Sequence, residues 1–163
     1  MDRNKGLEES VVGLLKKYHL KLAAAESLTG GLFSAGIVNV SGASEVFAGG
    51  FVTYTDEAKH KLLGVKKSTL AKYTAVSKHT AAQMAKGAAA GLGADVAVSM
   101  TGIAGPGGGT IEQPVGLVYI ACTMNGKAVT RKYQLEGSRQ EIREKTVTEA
   151  LRMVRYCVRK KYA

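Results

Sequence analysis

Hydrophobic and polar positions follow two different periods along the chain. Apolar residues recur at helical spacing between charged residues over 7–18 and again over 142–158, which predicts two amphipathic helices. The runs at 20–25 and 95–100 are short and almost continuously apolar, as is typical of strands buried in the middle of a sheet. These patterns indicate a chain that mixes helices and strands.

Capping residues and turn residues place the remaining elements. Predicted helices cover 32–40, 56–63 with Asp56 as N-cap, and 78–91 with Ser77 as N-cap, and Ser138 opens the final helix. Predicted strands cover 49–55, 115–123 and 128–135, the last two joined at Asn125-Gly126, a strong hairpin signal. Because helices alternate with strands, we predict an α/β fold: a three-layer α/β/α arrangement around a mixed, mostly parallel sheet of about five strands. At 163 residues this is one domain, spanning 1–163.

The chain is strongly basic. It has 23 Lys and Arg against 13 Asp and Glu, a net charge of +10, and the segment 139–163 alone contributes eight basic and three acidic residues. Such a balance is compatible with nucleic acid, an anionic membrane surface or a phosphorylated small substrate. Aromatic residues are only 6% of the chain and no nucleic-acid-binding motif is present, so nucleic acid is not the expected partner. We interpret most of the excess charge as a solvated helix face.

Cysteine and histidine usage argues against a metal site. The two cysteines, Cys122 and Cys157, lie in apolar runs and are interpreted as buried hydrophobic residues in a reducing compartment. The three histidines are scattered, and neither a CxxC nor an HExxH pattern occurs, so we expect no bound metal and no cofactor. The N-terminus does not resemble a signal peptide and no apolar run is long enough to span a membrane, so we expect a cytoplasmic protein without a membrane partner.

Two glycine-rich segments are candidate ligand sites. The first, 25–31, carries Ser27, Thr29 and a glycine pair at the end of a predicted strand that enters a helix, a setting that suits phosphate. The second, 101–114, is a long loop that follows a predicted central strand, and successive N–H groups in such loops bind anions. The alternatives, a tight strand-to-helix turn and a flexible surface loop, remain open from spacing alone.

A third candidate is catalytic. Ser44 lies in a predicted loop, where its hydroxyl would be accessible, and a serine nucleophile needs a base such as a buried lysine. Lys59 follows the strand after that loop and could turn back toward it, and Tyr54 at the strand end could orient it. By spacing alone this grouping is weak, since a serine and a lysine fifteen residues apart are usually unrelated.

Three motifs resemble those of the CinA C-terminal-domain family. The sequence AESLTGG at 25–31 resembles its AESCTGG motif, and GFVTYTDEAK at 50–59 is similar to its GFVTYSNEAK segment. TGIAGPGGG at 101–109, followed by PVG at 114–116, resembles its TGIAGPGGG…KPVG segment. The order and spacing of the three agree, and the resemblance covers nearly the whole chain. Leu28 stands where the family usually has cysteine, which argues against a nucleophile at that position.

The resemblance implies a stand-alone nicotinamide-nucleotide amidase, which would hydrolyse the carboxamide of nicotinamide mononucleotide to nicotinate mononucleotide and ammonia. The catalytic residues it implies are Ser44 as nucleophile, Lys59 as base, and Tyr54 and Thr101 as orienting groups. The binding residues it implies are Ser27, Thr29, Gly30, Gly31, Gly102, Ile103, Ala104 and Gly105, with Arg139 or Arg143 on the last helix. If Ser44 does not carry the reaction, Ser27 or an activated water is the alternative nucleophile.

Two further expectations concern the class of protein and its assembly. A non-catalytic nucleotide- or protein-binding module of the same fold is the alternative to an amidase, since a fold does not guarantee a working site. The apolar hairpin and helix surfaces also lead us to expect a homo-oligomer, with a homodimer as the simplest form.

Overall fold

A computed structural model describes residues 4–162, so the predicted domain bounds 1 and 163 lie outside the described residues. The described residues form five strands and six α-helices. The strands are β1 (Leu22–Glu26), β2 (Phe47–Val52), β3 (Val96–Gly102), β4 (Leu117–Met124) and β5 (Lys127–Gln134). The α-helices are α1 (Lys5–Lys17), α2 (Leu32–Val38), α3 (Asp56–Leu63), α4 (Lys67–Tyr73), α5 (Lys78–Leu92) and α6 (Arg139–Tyr162), and a 3-10 helix covers Ala43–Glu45.

The strands form one mixed sheet in the order β2-β1-β3-β4-β5. β1 pairs in parallel with both β2 and β3, whereas β4 runs antiparallel to its neighbours β3 and β5. Four of the five described strands therefore point the same way, and the predicted α/β fold with a mixed, mostly parallel sheet is confirmed. The carboxyl ends of β1, β2 and β3 meet at one edge of the sheet, where α/β proteins bind their ligands.

Helices cover both faces of the sheet. On one face α1, α2 and α6 pack together over the larger apolar core, and on the other α5 lies across the strands with α3 and α4 beside it. The inner strand β1 is buried along its whole length, and its three consecutive alanines leave room for helices on both sides. This burial on two faces explains why its sequence is apolar without alternation.

The hairpin and most helix starts agree with the sequence. Asn125 and Gly126 both have positive φ, 54° and 76°, the combination that a two-residue hairpin turn requires. Ser77 caps α5 by accepting a hydrogen bond from Thr80 N–H at 3.1 Å. Asp56 is not the cap of α3: Thr55 has the extended backbone of an N-cap, and its hydroxyl accepts from Ala58 N–H at 3.1 Å.

The bounds of β2 and the helix α4 are among the differences from the predictions. β2 begins at Phe47 and ends at Val52, so it starts two residues and ends three residues earlier than predicted. The short helix α4 was not predicted, since its seven residues show no helical periodicity in the sequence. Among the described residues, no helix is long and apolar enough to cross a membrane.

Candidate active site

The start of α2 is organised by a buried carboxylate. Glu26, the last residue of β1, is fully buried, and its side chain accepts hydrogen bonds from the backbone N–H groups of Gly31, Phe33 and Ser34 at 2.9–3.2 Å. The hydroxyl of Ser34 donates to the same carboxylate at 2.6 Å. A negative charge at a helix N-terminus is stabilised by the free N–H groups and the helix dipole. These donors are already occupied by the Glu26 carboxylate, so they are not free to bind a ligand phosphate.

Lys59 contacts Ser27 at the carboxyl edge of the sheet. The Lys59 Nζ lies 2.9 Å from the Ser27 Oγ and donates at 2.8 Å to the carbonyl oxygen of Thr53. Ser27 follows β1 directly, Thr53 follows β2, and Lys59 reaches back from α3. Lys59 is only 1% exposed, which is rare for a lysine and signals a specific role for its amine.

The surroundings of Lys59 favour its neutral form. Burial lowers the pKa of the Lys59 ammonium from its ordinary value, and the nearby Asp56 carboxylate offsets part of that shift. No carboxylate of the described residues lies within ion-pair distance of Lys59. A neutral amine offers a lone pair, so the Ser27 hydroxyl can then donate its proton to Lys59 Nζ. This is the geometry of a serine nucleophile activated by a lysine base.

Ser44 lies far from this pair, which corrects the expected contact between Ser44 and Lys59. It is exposed in the 3-10 helix that precedes β2, whereas Lys59 follows the other end of that strand. β2 has six residues, and at roughly 3.3 Å per residue it separates the two side chains by about 20 Å. A strand cannot fold back on itself, so Lys59 reaches the loop after the neighbouring parallel strand instead.

Tyr54 and Arg139 meet at the mouth of the site. The Arg139 guanidinium donates to the Tyr54 hydroxyl at 3.0 Å and to the carbonyl oxygen of Gly105 at 2.8 Å. Tyr54 is 62% exposed, so its ring stands at the surface rather than beside the Lys59 amine. The first turn of α6 is thereby linked to the glycine-rich loop and to the segment before α3.

Two threonines predicted at the site have buried, structural contacts. The Thr101 hydroxyl donates at 2.8 Å to the carbonyl oxygen of Ala75, which fixes the end of β3 to the segment before α5. The Thr29 hydroxyl faces the sulfur of Met100 at 3.8 Å, inside the protein. Both residues are at most 1% exposed. Neither side chain is therefore in hydrogen-bonding contact with Ser27 or Lys59.

The glycine-rich loop after β3 forms the opposite wall. Ile103 N–H donates to the carbonyl oxygen of Leu117, which holds the start of the loop against β4. Gly105 has a φ of +77°, and a Cβ there would lie 2.5 Å from the Val115 side chain, so only glycine fits this turn. Farther along, the Gln113 side chain donates to the carbonyl oxygen of Val76 at 2.8 Å. The loop is thus tethered at both ends.

Together these segments enclose a cleft of about 320 Å³. Its lining comprises Ser27, Leu28, Tyr54, Thr55, Asp56, Lys59, Ala75, Val76, Thr101, Gly102, Ala104 and Arg139. Four of the predicted binding residues line the cleft: Ser27, Gly102, Ala104 and Arg139. The others are not part of its lining: Thr29, Gly30, Gly31, Ile103, Gly105 and Arg143. Within residues 4–162, no group of three His, Cys, Asp or Glu side chains lies close enough together to hold a metal ion.

Leu28 packs into the larger apolar core and is 5% exposed. Its side chain thus fills space beneath the Ser27 loop. At this position the family motif has cysteine, whereas this chain has an apolar side chain that packs into the core. No thiol is therefore available for chemistry there.

The fold and the cleft define a three-layer α/β protein with a buried Ser–Lys pair at the carboxyl ends of parallel strands. The model of the CinA C-terminal domain matches residues 4–158, and the chain belongs to that family. A CinA-like protein of Kosmotoga olearia is 54% identical over 149 residues, which are 91% of this chain and 36% of that protein. The chain therefore spans about a third of the length of the curated relatives it matches.

Solved structures of the family have the same fold. The competence/damage inducible protein CihA from Agrobacterium tumefaciens is 41% identical, with a TM-score of 0.92 over 95% of this chain and 94% of that one. A competence-damaged protein (CinA) superfamily protein from Klebsiella pneumoniae is 30% identical, with a TM-score of 0.94 over 97% of this chain and 99% of that one.

Sequence reasoning missed two features of the site. The role of Glu26 was not recognised because it lies six residues before α2 begins at Leu32, outside the positions where capping residues are sought. The partner of Lys59 was misassigned because Ser27 is 32 positions away and the contact depends on which strands are neighbours. A signal was available: Ser27 follows a fully apolar strand, at the end where α/β sheets place their ligands.

Proposed function

We propose that the cleft hydrolyses the carboxamide of nicotinamide mononucleotide to nicotinate mononucleotide and ammonia, with Ser27 as nucleophile and Lys59 as general base. The observation that carries this proposal is the 2.9 Å contact between Lys59 Nζ and Ser27 Oγ, made by a lysine that is almost completely buried. The choice of substrate is supported by the resemblance of three motifs to those of the CinA C-terminal-domain family. All three motifs of this chain contribute residues to the cleft.

In the acylation step, Ser27 Oγ attacks the carboxamide carbon as its proton passes to neutral Lys59. The C–O bond forms and the carbonyl π electrons move to oxygen, giving a tetrahedral oxyanion. When that oxyanion collapses, the C–N bond breaks. The Lys59 ammonium returns its proton to the leaving nitrogen, which departs as ammonia. Lys59 is neutral again at the end of this step.

In the deacylation step, water replaces ammonia. Lys59 takes a proton from the water, whose oxygen attacks the carbonyl carbon of the nicotinoyl ester. Collapse of the second oxyanion breaks the bond to Ser27, and Lys59 returns the proton to Ser27 Oγ. The Thr53 carbonyl oxygen accepts from Lys59 Nζ throughout and keeps the lone pair directed at Ser27.

Arg139 would bind the phosphate of the nucleotide. It lies in the lining of the cleft, on the first turn of α6, and its current partners are a tyrosine hydroxyl and a backbone carbonyl oxygen rather than a carboxylate. Guanidinium groups bind phosphate through two parallel N–H donors. A phosphate would replace the neutral Tyr54 hydroxyl with a charged partner at little cost.

The test is the release of ammonia together with nicotinate mononucleotide from purified protein. Equal amounts of the two products are expected from the wild type. Lys59→Met is expected to lower kcat by about 10²–10⁴-fold, the contribution of a general base. Lys61→Met, on the same helix but exposed, is the matched control and retains wild-type turnover. Binding of the nucleotide without any product would instead indicate the non-catalytic module. The homo-oligomer stays a prediction.

A further inference from the structure

We infer that Arg143 is a positioning residue that orients the Leu28 N–H, the group that would bind the oxyanion. This inference rests on the proposed acyl transfer at Ser27. The Arg143 Nε donates to the carbonyl oxygen of Leu28 at 2.8 Å, and one of its terminal nitrogens donates to the carbonyl oxygen of Thr29 at 3.2 Å. The guanidinium therefore grips the two peptide units that follow the peptide joining Ser27 to Leu28.

Holding these carbonyl groups also fixes the N–H groups on the opposite side of the chain. A trans peptide is planar, and its C=O and N–H point in opposite directions. The Thr29 carbonyl and the Gly30 N–H belong to one such unit, so holding the carbonyl fixes the direction of the N–H. That N–H donates to the Ser27 carbonyl at 3.1 Å, which fixes the peptide unit that joins Ser27 to Leu28. That contact sets the direction of the Leu28 N–H.

The Leu28 N–H fixed in this way has no acceptor among residues 4–162. Leu28 is 5% exposed and lines the cleft, whereas Thr29 is fully buried and does not line it. N–H groups of buried residues are rarely without an acceptor, because each carries a desolvation cost. At the position directly after a nucleophile, such a donor is suited to stabilise an oxyanion.

The charge of Arg143 adds to the effect of its geometry. The described part of the chain places no carboxylate within ion-pair distance of its guanidinium. Charge-assisted hydrogen bonds to the carbonyl oxygens polarise the peptide units, which makes their N–H groups stronger donors. Gly30 permits this arrangement, since a Cβ there would lie 3.3 Å from the Arg143 guanidinium. Arg143 therefore acts through the backbone.

The experiment compares Arg143→Met with Arg143→Lys and with Arg159→Met, an exposed arginine on the same helix, as control. Deleting an oxyanion donor costs about 10²–10³-fold in kcat, so a misdirected donor should cost roughly 10–100-fold. We expect Arg143→Met to lose that factor with KM changed by less than about threefold, because ground-state binding is untouched. Arg143→Lys should recover part of the loss, and added methylguanidinium should partly rescue Arg143→Met. The control should match the wild type.

A second readout does not require turnover. Pyridine-3-boronic acid places a boron where the carboxamide carbon would lie, and its tetrahedral adduct with Ser27 presents an oxygen to the same Leu28 N–H. Its affinity should fall in Arg143→Met by a factor similar to the fall in kcat. Retention of both kcat and boronate affinity would overturn the inference. A fall in boronate affinity accompanied by a rise in KM would also overturn it, since that pattern indicates a general loosening of the fold.

The two readouts separate the inference from the proposed function. If the wild type releases no ammonia but binds the boronic acid in a manner that depends on Ser27 and Arg143, the proposed substrate is wrong and the role of Arg143 stands. If the wild type neither turns over nor binds the boronic acid, both fail.

Discussion

Lys59 Nζ lies 2.9 Å from Ser27 Oγ although 32 residues separate them in the chain. The contact arises because β1 and β2 are parallel neighbours, so the segments that follow them emerge at the same edge of the sheet. Ser27 follows one strand directly, and α3 carries Lys59 back over the end of the other. The topology thus brings the pair together from two loops. The burial of Lys59 lowers its pKa and so favours the neutral amine that can act as a base.

The pH dependence of turnover should report the pKa of Lys59. The base must be neutral, so kcat rises with pH through that pKa, which burial has lowered. The Asp56 carboxylate raises it, so Asp56→Asn should lower it further and move the rising limb to lower pH. The measurement is kcat against pH for the wild type, Asp56→Asn and Glu57→Gln, an exposed neighbouring carboxylate. An unmoved limb in Asp56→Asn, or an equal shift in the control, would contradict the assignment of Lys59.

Glu26 should contribute strongly to stability. Its carboxylate accepts four hydrogen bonds at the start of α2. Hydrogen bonds to a charged group contribute about 1.5–3 kcal/mol each, so we expect Glu26→Ala to lower the free energy of unfolding by at least about 3 kcal/mol. Urea denaturation measures this, with the exposed Glu9→Ala as a control expected to change it by less than about 0.5 kcal/mol. Equal effects in the two variants would show that the buried network is not stabilising.

Two helical glycines should respond to alanine in opposite ways. A Cβ at Gly87 on α5 would lie 2.0 Å from the carbonyl oxygen of Leu63, whereas a Cβ at Gly13 on α1 meets nothing within 4 Å. Gly87→Ala should therefore lower the free energy of unfolding by about 1–3 kcal/mol through overpacking. Gly13→Ala should raise it by about 0.5–1 kcal/mol through the greater helix propensity of alanine. Thermal or urea unfolding tests both, and a stabilised Gly87→Ala would show that α3 and α5 are not packed this closely.

Arg139 should act on substrate affinity. If it binds the phosphate, Arg139→Met should raise KM for nicotinamide mononucleotide by roughly 10–100-fold, the loss of a charge-assisted bond, with kcat little changed. The matched comparison is nicotinamide riboside, which lacks the phosphate and should be turned over equally by the wild type and the variant. A loss of the same size with the riboside would mean that Arg139 supports the cleft through Tyr54 and Gly105 instead.

Local patterns in the sequence were sufficient for much of the fold. The unbroken apolar run of β1, the Asn125-Gly126 turn and the Ser77 cap each depend on residues close together in the chain, and each was predicted. Helix α4 was missed because its packing against α5, rather than its own periodicity, stabilises it. The cap of α3 was assigned to Asp56 instead of Thr55, because the two residues are adjacent and both residue types suit the position.

The site was predicted less completely because its contacts connect distant segments. The resemblance pointed to Lys59 and to the loops at 25–31 and 101–109, and the structure brings these together. The proximity of Ser44 to Lys59 along the chain suggested a pairing that the length of β2 forbids. Arg143 illustrates the same limit, since its contacts with Leu28 and Thr29 span more than a hundred residues and involve backbone atoms that no motif encodes.

The most direct test of the Ser27–Lys59 site is ammonia release from nicotinamide mononucleotide by the wild type, Ser27→Ala and Ser44→Ala, each purified and shown to be folded. We predict that turnover falls to background in Ser27→Ala and remains at the wild-type level in Ser44→Ala. Turnover that survives in Ser27→Ala, or is lost in Ser44→Ala, would contradict the assignment of Ser27 as the nucleophile.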